Sequence, residues 1–309
     1  MPLRKLFKVS LMLLGLSACV QQGDLVLDEQ GQPLVAENGL STNGISTNGI
    51  STNGISTNGI STNGLSAVGL TQNMLSSSQF SSWFKANPSL ADMVMKYAVK
   101  CSCDASTTLN FTSGGASYGW SGELNLAPLL CTGLGFPVIE QQLLSACLAA
   151  HVNRYGIHVG ISVRGVLEDG FTQLSYDASE NATYPVKEGC FFGNLFDGTG
   201  VFSGYDGGLN KAGLTSPRSC AMSDGKPYSC LPMVATGKSC ASICNTNPSA
   251  ANNGIWKDCS WGGKSYRAIT TRLKPSDVYS CGDGVCQFTE SCYDPSTGTG
   301  CQADCGTCP

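Results

Sequence analysis

The feature that most constrains this chain is its supply of cysteine, 17 in 309 residues. Ten cysteines lie between Cys101 and Cys259, six between Cys281 and Cys308, and one stands apart at Cys19. Because both blocks hold an even number, each can pair internally, as five bridges and three, although the sequence leaves the connectivity open. Zinc is the competing use of clustered cysteines, but only two histidines exist to join them. The count predicts an exported, disulfide-rich protein, since such bridges persist in oxidising compartments.

The first 18 residues have the layout of a secretory signal. Three basic residues precede an apolar run over 9–16, which is shorter than the about 20 residues needed to span a bilayer. The next step, Leu16-Ser17-Ala18-Cys19, resembles the lipobox of bacterial lipoproteins, in which the cysteine thiol accepts a diacylglyceryl group. The resemblance implies lipidation at Cys19 and a membrane anchor, because each buried CH₂ contributes about 0.8 kcal/mol. Cleavage of an ordinary signal peptide nearby is the alternative.

The charge balance excludes one class of partner. The formal net charge is −4, and removing Arg4, Lys5 and Lys8 with the signal leaves −7. An acidic chain with 13% charged residues lacks the basic footprint that phosphate backbones require, so nucleic acid is not expected as a partner. No later segment is long and apolar enough to span a membrane as a helix.

From Glu37 to Leu70 the sequence repeats with a period of five, typified by Asn43-Gly44-Ile45-Ser46-Thr47. An ordered alternative is a pentapeptide β-solenoid, but this run falls short of the three stacked coils that we take such a core to need. Asn-Gly favours turns, and one Leu or Ile per five residues buries too little apolar surface to offset the entropy of ordering. We predict a flexible tether over residues 19–73, with a typical reach of about 40 Å for about 50 residues.

The central domain, residues 74–275, is predicted to combine a few helices with an antiparallel sheet. Phe80, Trp83 and Phe84 are spaced to share one face of a short helix, and Pro88 can open a second. The clearest helix runs over 139–155, with Gly156 ending it. The predicted strands are 107–112, 118–124, 157–163, 183–192, 228–235 and 266–273. This order fits class α+β, with helices on one side of the sheet.

The C-terminal module, residues 276–309, is too short for its own apolar core and must be held by disulfides. Its carboxylates Asp283, Glu290, Asp294 and Asp304 are a candidate calcium site, because Ca²⁺ takes six to eight oxygen ligands. An acidic, solvated loop is the alternative, since the spacing is not that of an EF-hand.

Several blocks of the chain resemble an uncharacterised, cysteine-containing family of myxobacterial secreted proteins and lipoproteins, which also carry Asn-Gly-Leu-Ser type repeats. The resemblance covers about residues 36–273 and implies a shared fold, but it transfers no activity. The blocks are Trp83-Phe84, Lys96–Cys101, Leu144–Ala150, Arg164-Gly165 and Glu188–Phe196. Residues 281–305 resemble the myxococcal cysteine-rich repeat, a small extracellular module, although Cys286 and the loop over 294–300 depart from its commonest form.

Two candidate chemistries remain. Cys147 and His151 are four residues apart on one helix face, as a nucleophile and its base would be, although such a pair is more often a core histidine beside a bridged cysteine. Glu123, Glu140 and Glu168 could supply a glycosidase carboxylate pair, but sequence does not set their separation.

The sequence as a whole predicts a lipid-anchored cell-envelope protein, at the outer membrane or cell surface. Its expected role is binding or structural, with a carbohydrate or protein ligand in contact with an aromatic surface that draws on four tryptophans. The alternative is a secreted or surface hydrolase that acts on polysaccharide or peptide through a carboxylate-based site.

Overall fold

The computed structural model describes residues 35–38, 40–41, 69–153, 159–206, 214–215, 228–230, 233–246, 255–286, 295 and 300–307. The chain divides into two units, Met1–Pro33 and Leu34–Pro309, and the first unit lies outside the described residues. The signal, Cys19 and most of the repeat also lie outside them. Among the described residues, no helix has the length and apolar content to cross a bilayer.

The described elements mix helices and strands. The helices are α1 Gln72–Leu75, α2 Ser78–Ala86, α3 Pro88–Ser102, α4 Pro128–Thr132, α5 Val138–Ala150, α6 Ala178–Thr183, α7 Cys240–Ile243 and α8 Gln302–Cys305. The strands are β1 Val35–Asn38, β2 Leu40–Ser41, β3 Thr108–Ser113, β4 Ala116–Ser121, β5 Val152–Asn153, β6 Val159–Gly165, β7 Val186–Asn194, β8 Gly200–Tyr205, β9 Leu214–Thr215, β10 Tyr228–Cys230, β11 Met233–Ser239, β12 Cys244–Thr246, β13 Trp256–Trp261, β14 Lys264–Leu273 and β15 Tyr279–Ser280. The α+β, disulfide-rich class is confirmed.

The N-terminal helices begin where the sequence predicts. Ser77 caps α2 by accepting from the backbone N–H of Phe80, and Asn87 caps α3 ahead of Pro88. The predicted aromatic face of α2 is buried against the β3–β4 hairpin, where the Phe80 and Phe111 rings meet edge to face at 4.9 Å. This packing joins the helices and the hairpin in one apolar core.

The main sheet is nine-stranded and runs in the order β1-β6-β14-β7-β8-β11-β10, with β13 on β14 and β12 on β13. Its pairings are antiparallel except for β8 with β11, which are parallel, so the prediction of a purely antiparallel sheet is corrected there. Helix α5 packs on one face of the sheet, against β7 and β14, and the short α7 lies against β13, β11 and β8 in a second core cluster.

Helix α5 is shorter than the predicted 139–155. It ends at Ala150, with His151 as the C-cap, because Val152 and Asn153 pair with Leu40 and Ser41 as strands β5 and β2. The position of Gly156, predicted to end the helix, lies outside the described residues. Instead of an apolar stripe, every residue of α5 from Leu143 to Ala150 is buried, since this part of the helix lies between the sheet and α3.

The tether predicted over 19–73 is wrong for part of its length. Val35–Asn38 forms the edge strand β1, which pairs antiparallel with β6 and places Val35 opposite Ser162. At the other end of the repeat, the Leu70 N–H donates to the carbonyl of Leu130 at 2.7 Å. The repeat region is therefore attached to the folded unit both before and after its central copies.

Six disulfides join the described cysteines, and each stays within its own block. The bridges are Cys101–Cys147, Cys103–Cys131, Cys190–Cys240, Cys244–Cys259, Cys281–Cys301 and Cys286–Cys305. Internal pairing is confirmed for these cysteines. The side chains of Cys220, Cys230, Cys292 and Cys308 lie outside the described part.

Candidate functional site

Among the described residues, the exposed large apolar side chains concentrate in one segment. Leu129, Leu134, Val138 and Ile139 are 40%, 78%, 57% and 39% exposed, and we call these four the aliphatic corner. The corner spans α4, the turn after it and the first residues of α5. Exposed aliphatic groups grouped in this way are typical of a contact surface.

The local sequence explains the shape of the corner. Pro128 opens α4, where its missing N–H costs nothing, and Gly133 closes the helix in the left-handed conformation with φ of 74°. The Leu134 N–H then donates back to the carbonyl of Leu129 at 2.9 Å. This closure presents Leu134 at the tip of the turn.

Glu140 holds the corner from beneath. Its side chain is buried, with Oε1 accepting the Leu129 N–H and Oε2 accepting the Leu130 N–H, both at 3.0 Å. These are first-turn donors of α4, whose N-cap, Ala127, has no side chain that could accept them. Burial raises the pKa of Glu140, while the two amides oppose that shift and the charge of Glu168 adds to it. Glu140 therefore replaces a missing helix cap.

Further contacts stiffen the same segment. The Cys103–Cys131 bridge joins α4 to the end of α3. Below the surface, the rings of Phe136 and Phe196 meet edge to face at 4.7 Å. The corner is thus a fixed projection of the fold.

The corner carries no charge in its own segment. Between Glu123 and Arg154 the only charged residue is Glu140, and its carboxylate is directed to the backbone of α4. The backbone donors around the tip are satisfied internally, with Cys131 N–H on Ala127 and Gly133 N–H on Leu130. On the α4 side of the corner, an apolar ligand therefore strands no charge and none of these amides, whereas α5 begins at Val138 with no side-chain cap for its first-turn N–H groups.

The Cys147–His151 hypothesis fails at the cysteine. The two residues are in contact, but Cys147 is bonded to Cys101 and has no thiol to act as a nucleophile. His151 is buried, and its Nδ1 lies 2.8 Å from the carbonyl oxygen of Cys147, where an N–H would donate. The arrangement is that of a core histidine packed on a disulfide.

In the described part of the chain, the clusters that could bind zinc contain no free thiolate. Three clusters there bring metal-binding side chains together, but every cysteine in them belongs to a disulfide. Bonded sulfurs do not serve as the thiolate ligands that zinc requires.

Of the four candidate calcium ligands, the structure describes two. Asp304 accepts the backbone N–H groups of Gly282 and Gly284 at 2.6 and 2.9 Å, and Asp283 accepts the Val285 N–H at 3.0 Å. Both carboxylates thus close the loop that follows Cys281. Glu290 and Asp294 lie outside the described residues, so the four are not shown to converge.

The three candidate glycosidase carboxylates have different environments. Glu140 is enclosed and Glu168 is exposed, while Glu123 is ion-paired with Lys100 at 3.0 Å. The fully buried Glu140 cannot approach a substrate in this structure. The hydrolase hypothesis gains no support from these residues.

A buried polar network was missed at the sequence level. Arg164 donates through Nε to Ser162 at 2.6 Å, Ser162 donates to Glu180 at 2.7 Å, and the Tyr176 ring covers the guanidinium at 3.6 Å. Burial raises the pKa of Glu180 and lowers that of Arg164. The network fastens α6 to β6. Its only sequence signal was the Arg164-Gly165 block.

The tryptophans are not available as a sugar-stacking surface. Trp83, Trp120 and Trp256 are buried, and Trp261 is half-buried against the second core cluster. The indole N–H groups of Trp120 and Trp256 donate to Asp92 and Asp206 at 2.7 and 2.9 Å. Their role in the described structure is core packing.

Comparison with known families identifies the repeat. The GLTT repeat family matches six copies, within residues 35–56 and 49–73. The match supports a repeat-containing protein. No curated protein matches, nor does any solved structure. The presence of repeats read from the sequence is thereby confirmed, while the match leaves the central domain and the C-terminal module unassigned.

Proposed function

We propose that this chain is a lipid-anchored protein of the cell envelope, at the outer membrane or cell surface, that lies against the membrane through its aliphatic corner. The anchor would be Cys19, at the end of Leu16-Ser17-Ala18-Cys19. Twelve of the other sixteen cysteines are bonded to one another, which is consistent with Cys19 being left for acylation.

The position of β1 supports a domain held near its anchor. Val35 already pairs with the main sheet, so at most 16 residue steps separate the sheet edge from Cys19. Such a chain reaches at most about 55 Å when fully extended. The predicted tether over 19–73, also fully extended, would reach more than about 170 Å. A short link favours direct contact of the domain with the membrane.

The single observation that carries the proposal is the aliphatic corner. Lipid hydrocarbon accepts aliphatic groups, but it penalises unsatisfied backbone donors by several kcal/mol each. Leu134 and Val138 are the most exposed members, and the α4 amides that precede Leu134 are satisfied by Glu140 and by α4 itself. The α4 side of the corner, with Leu134 at its tip, can therefore enter the headgroup and acyl boundary with its backbone donors satisfied.

The ligand class follows from the same surface. An aliphatic, uncharged corner favours an apolar ligand over the carbohydrate that a tryptophan surface would have bound. We propose membrane lipid as the ligand, and the calcium site of the C-terminal module stays a prediction, since Asp283 and Asp304 are the only two of its four candidate ligands that the structure describes. We also propose that the chain belongs to the secreted and lipoprotein family that its sequence blocks resemble; the GLTT match supports only the presence of repeats.

The test separates the anchor from the corner. The intact mass of membrane-extracted wild type, compared with the Cys19→Ser chain, reports lipidation: a lipid adduct on wild type alone supports the anchor, and equal modification overturns it. The full-length Cys19→Ser chain is then floated with vesicles of phosphatidylethanolamine and phosphatidylglycerol.

Adding Leu134→Ser and Val138→Ser should lower vesicle binding by about tenfold, since two exposed aliphatic groups are lost. Phe171→Ser is the matched control, because Phe171 is also 78% exposed but lies in another loop. Unchanged binding in the corner variant, or no binding of the parent chain, overturns the lipid contact and leaves a protein ligand for this surface.

A further inference from the structure

Two disulfides of the second core cluster touch. Cys190–Cys240 joins β7 to α7, and Cys244–Cys259 joins β12 to β13. The sulfur of Cys244 lies 3.4 Å from the sulfur of Cys190, although the two are not bonded to each other. Two separate bridges thus present their sulfurs to one another inside the fold.

The local structure explains this convergence. Helix α7 is four residues long, so Cys240 at its start and Cys244 just after it project from neighbouring points toward β7. Cys244 and Cys259 are direct partners in the β12–β13 register. Gly204 of β8 is the direct partner of Cys190 in β7. A Cβ at position 204 would lie 2.9 Å from the Cys190 sulfur, so a glycine there leaves space for the sulfurs.

The four cysteines differ in access to solvent. Cys190, Cys240 and Cys259 are fully buried, whereas Cys244 is half-buried next to the exposed Ser242 and Asn245. A thiolate that approaches from outside therefore meets the Cys244 sulfur first. Attack by a thiolate on a disulfide sulfur is the way in which such bonds break and exchange.

We propose that these cysteines form a thiol–disulfide exchange site that takes a dithiol reductant. One reductant thiolate bonds to Cys244, and Cys259 leaves as a thiolate. The second reductant thiolate closes the reductant's own disulfide, and Cys244 leaves. Cys244 then attacks Cys190, forming a Cys190–Cys244 bond and releasing Cys240 as a thiolate.

The balance of this sequence is one two-electron reduction. The dithiol is oxidised to a disulfide, and the protein gains two thiols, which take up the two protons from the reductant. The free thiols appear at Cys240 and Cys259, not at the two cysteines of the bridge first attacked. The site therefore moves a reduced thiol from the half-buried Cys244 to Cys240 at the start of α7, and β7 becomes bonded to the first residue of β12 instead of to α7.

The experiment uses the full chain with one equivalent of dithiothreitol, quenched by alkylation and mapped by peptide mass spectrometry. We expect label on Cys240 and Cys259 together with a Cys190–Cys244 linked peptide. Label on Cys244 and Cys259 with Cys190–Cys240 intact overturns the proposal, as does first reduction of Cys190–Cys240.

Two variants remove the same bridge and serve as controls for each other. Cys259→Ser leaves Cys244 as a thiol beside Cys190, so exchange without any reductant should place label on Cys240. Cys244→Ser leaves the thiol on Cys259 and should keep Cys190–Cys240 intact. If Cys259→Ser is labelled at Cys244 alone, the exchange does not occur. If either variant fails to fold, the mapping of the wild-type chain decides.

Discussion

Replacing Glu140 by alanine tests the assignment of this residue as the cap of α4. Two backbone donors, Leu129 N–H and Leu130 N–H, lose a carboxylate acceptor that each meets at 3.0 Å. Hydrogen bonds to a charged group contribute about 1.5–3 kcal/mol each, and the buried Leu130 N–H would also keep its desolvation cost once it has no acceptor. The expected loss is therefore at least about 3 kcal/mol, a large part of the about 5–15 kcal/mol typical of a domain.

The assay is urea unfolding of the oxidised full chain, followed by tryptophan fluorescence and near-ultraviolet circular dichroism. Glu168→Ala is the matched control, because Glu168 is an exposed carboxylate whose charge is felt at Glu140. We expect the control to lie within about 0.5 kcal/mol of wild type, as exposed substitutions usually do. A Glu140→Ala chain that also stayed within about 1 kcal/mol of wild type would refute the capping argument.

Three further predictions concern pH, backbone packing and the C-terminal loop. Burial raises the pKa of Glu140 in the folded chain above 4.5, so the folded chain binds a proton at Glu140 more tightly than the unfolded chain does. The free energy of unfolding of wild type, relative to that of Glu140→Gln, should therefore grow as pH falls from neutral towards 4.5. A difference between the two chains that did not depend on pH in urea unfolding would contradict this. Gly122→Ala should lower the free energy of unfolding by about 2 kcal/mol or more, because its Cβ would lie 2.2 Å from the Asp104 carbonyl oxygen. In the control Gly119→Ala, the Cβ would meet only the flexible side chain of Asn110 at 3.3 Å. Equal melting temperatures of the two variants would count against the packing at Gly122. Asp304→Ala should speed proteolysis of the C-terminal module without lowering the unfolding midpoint of the central domain, since only the loop at Gly282–Gly284 loses its acceptor; unchanged cleavage would show that the disulfides alone hold the loop.

The ends of the helices differ in how far local sequence sets them. The start of α3 was readable because Pro88 favours the first turn of a helix through its own fixed backbone angle, which is a local property. The end of α5 was not readable, because it is set by the pairing of Val152 with Leu40, more than a hundred residues away in the chain. The repeat misled in the same way, since its composition suits a coil while Val35–Asn38 completes a sheet edge supplied by β6.

The sites show the same division. The amino-acid sequence determined the even cysteine blocks, the five-residue repeat and the charge-free segment that carries the aliphatic corner, because counts, periods and charge are properties of the chain itself. Only the tertiary structure decided that Cys147 bonds to Cys101, that Glu140 caps α4 and that Cys244 touches Cys190. Each of these depends on which side chains the packed elements bring within a few ångströms. Such distances join residues remote in the sequence, and no local pattern records them.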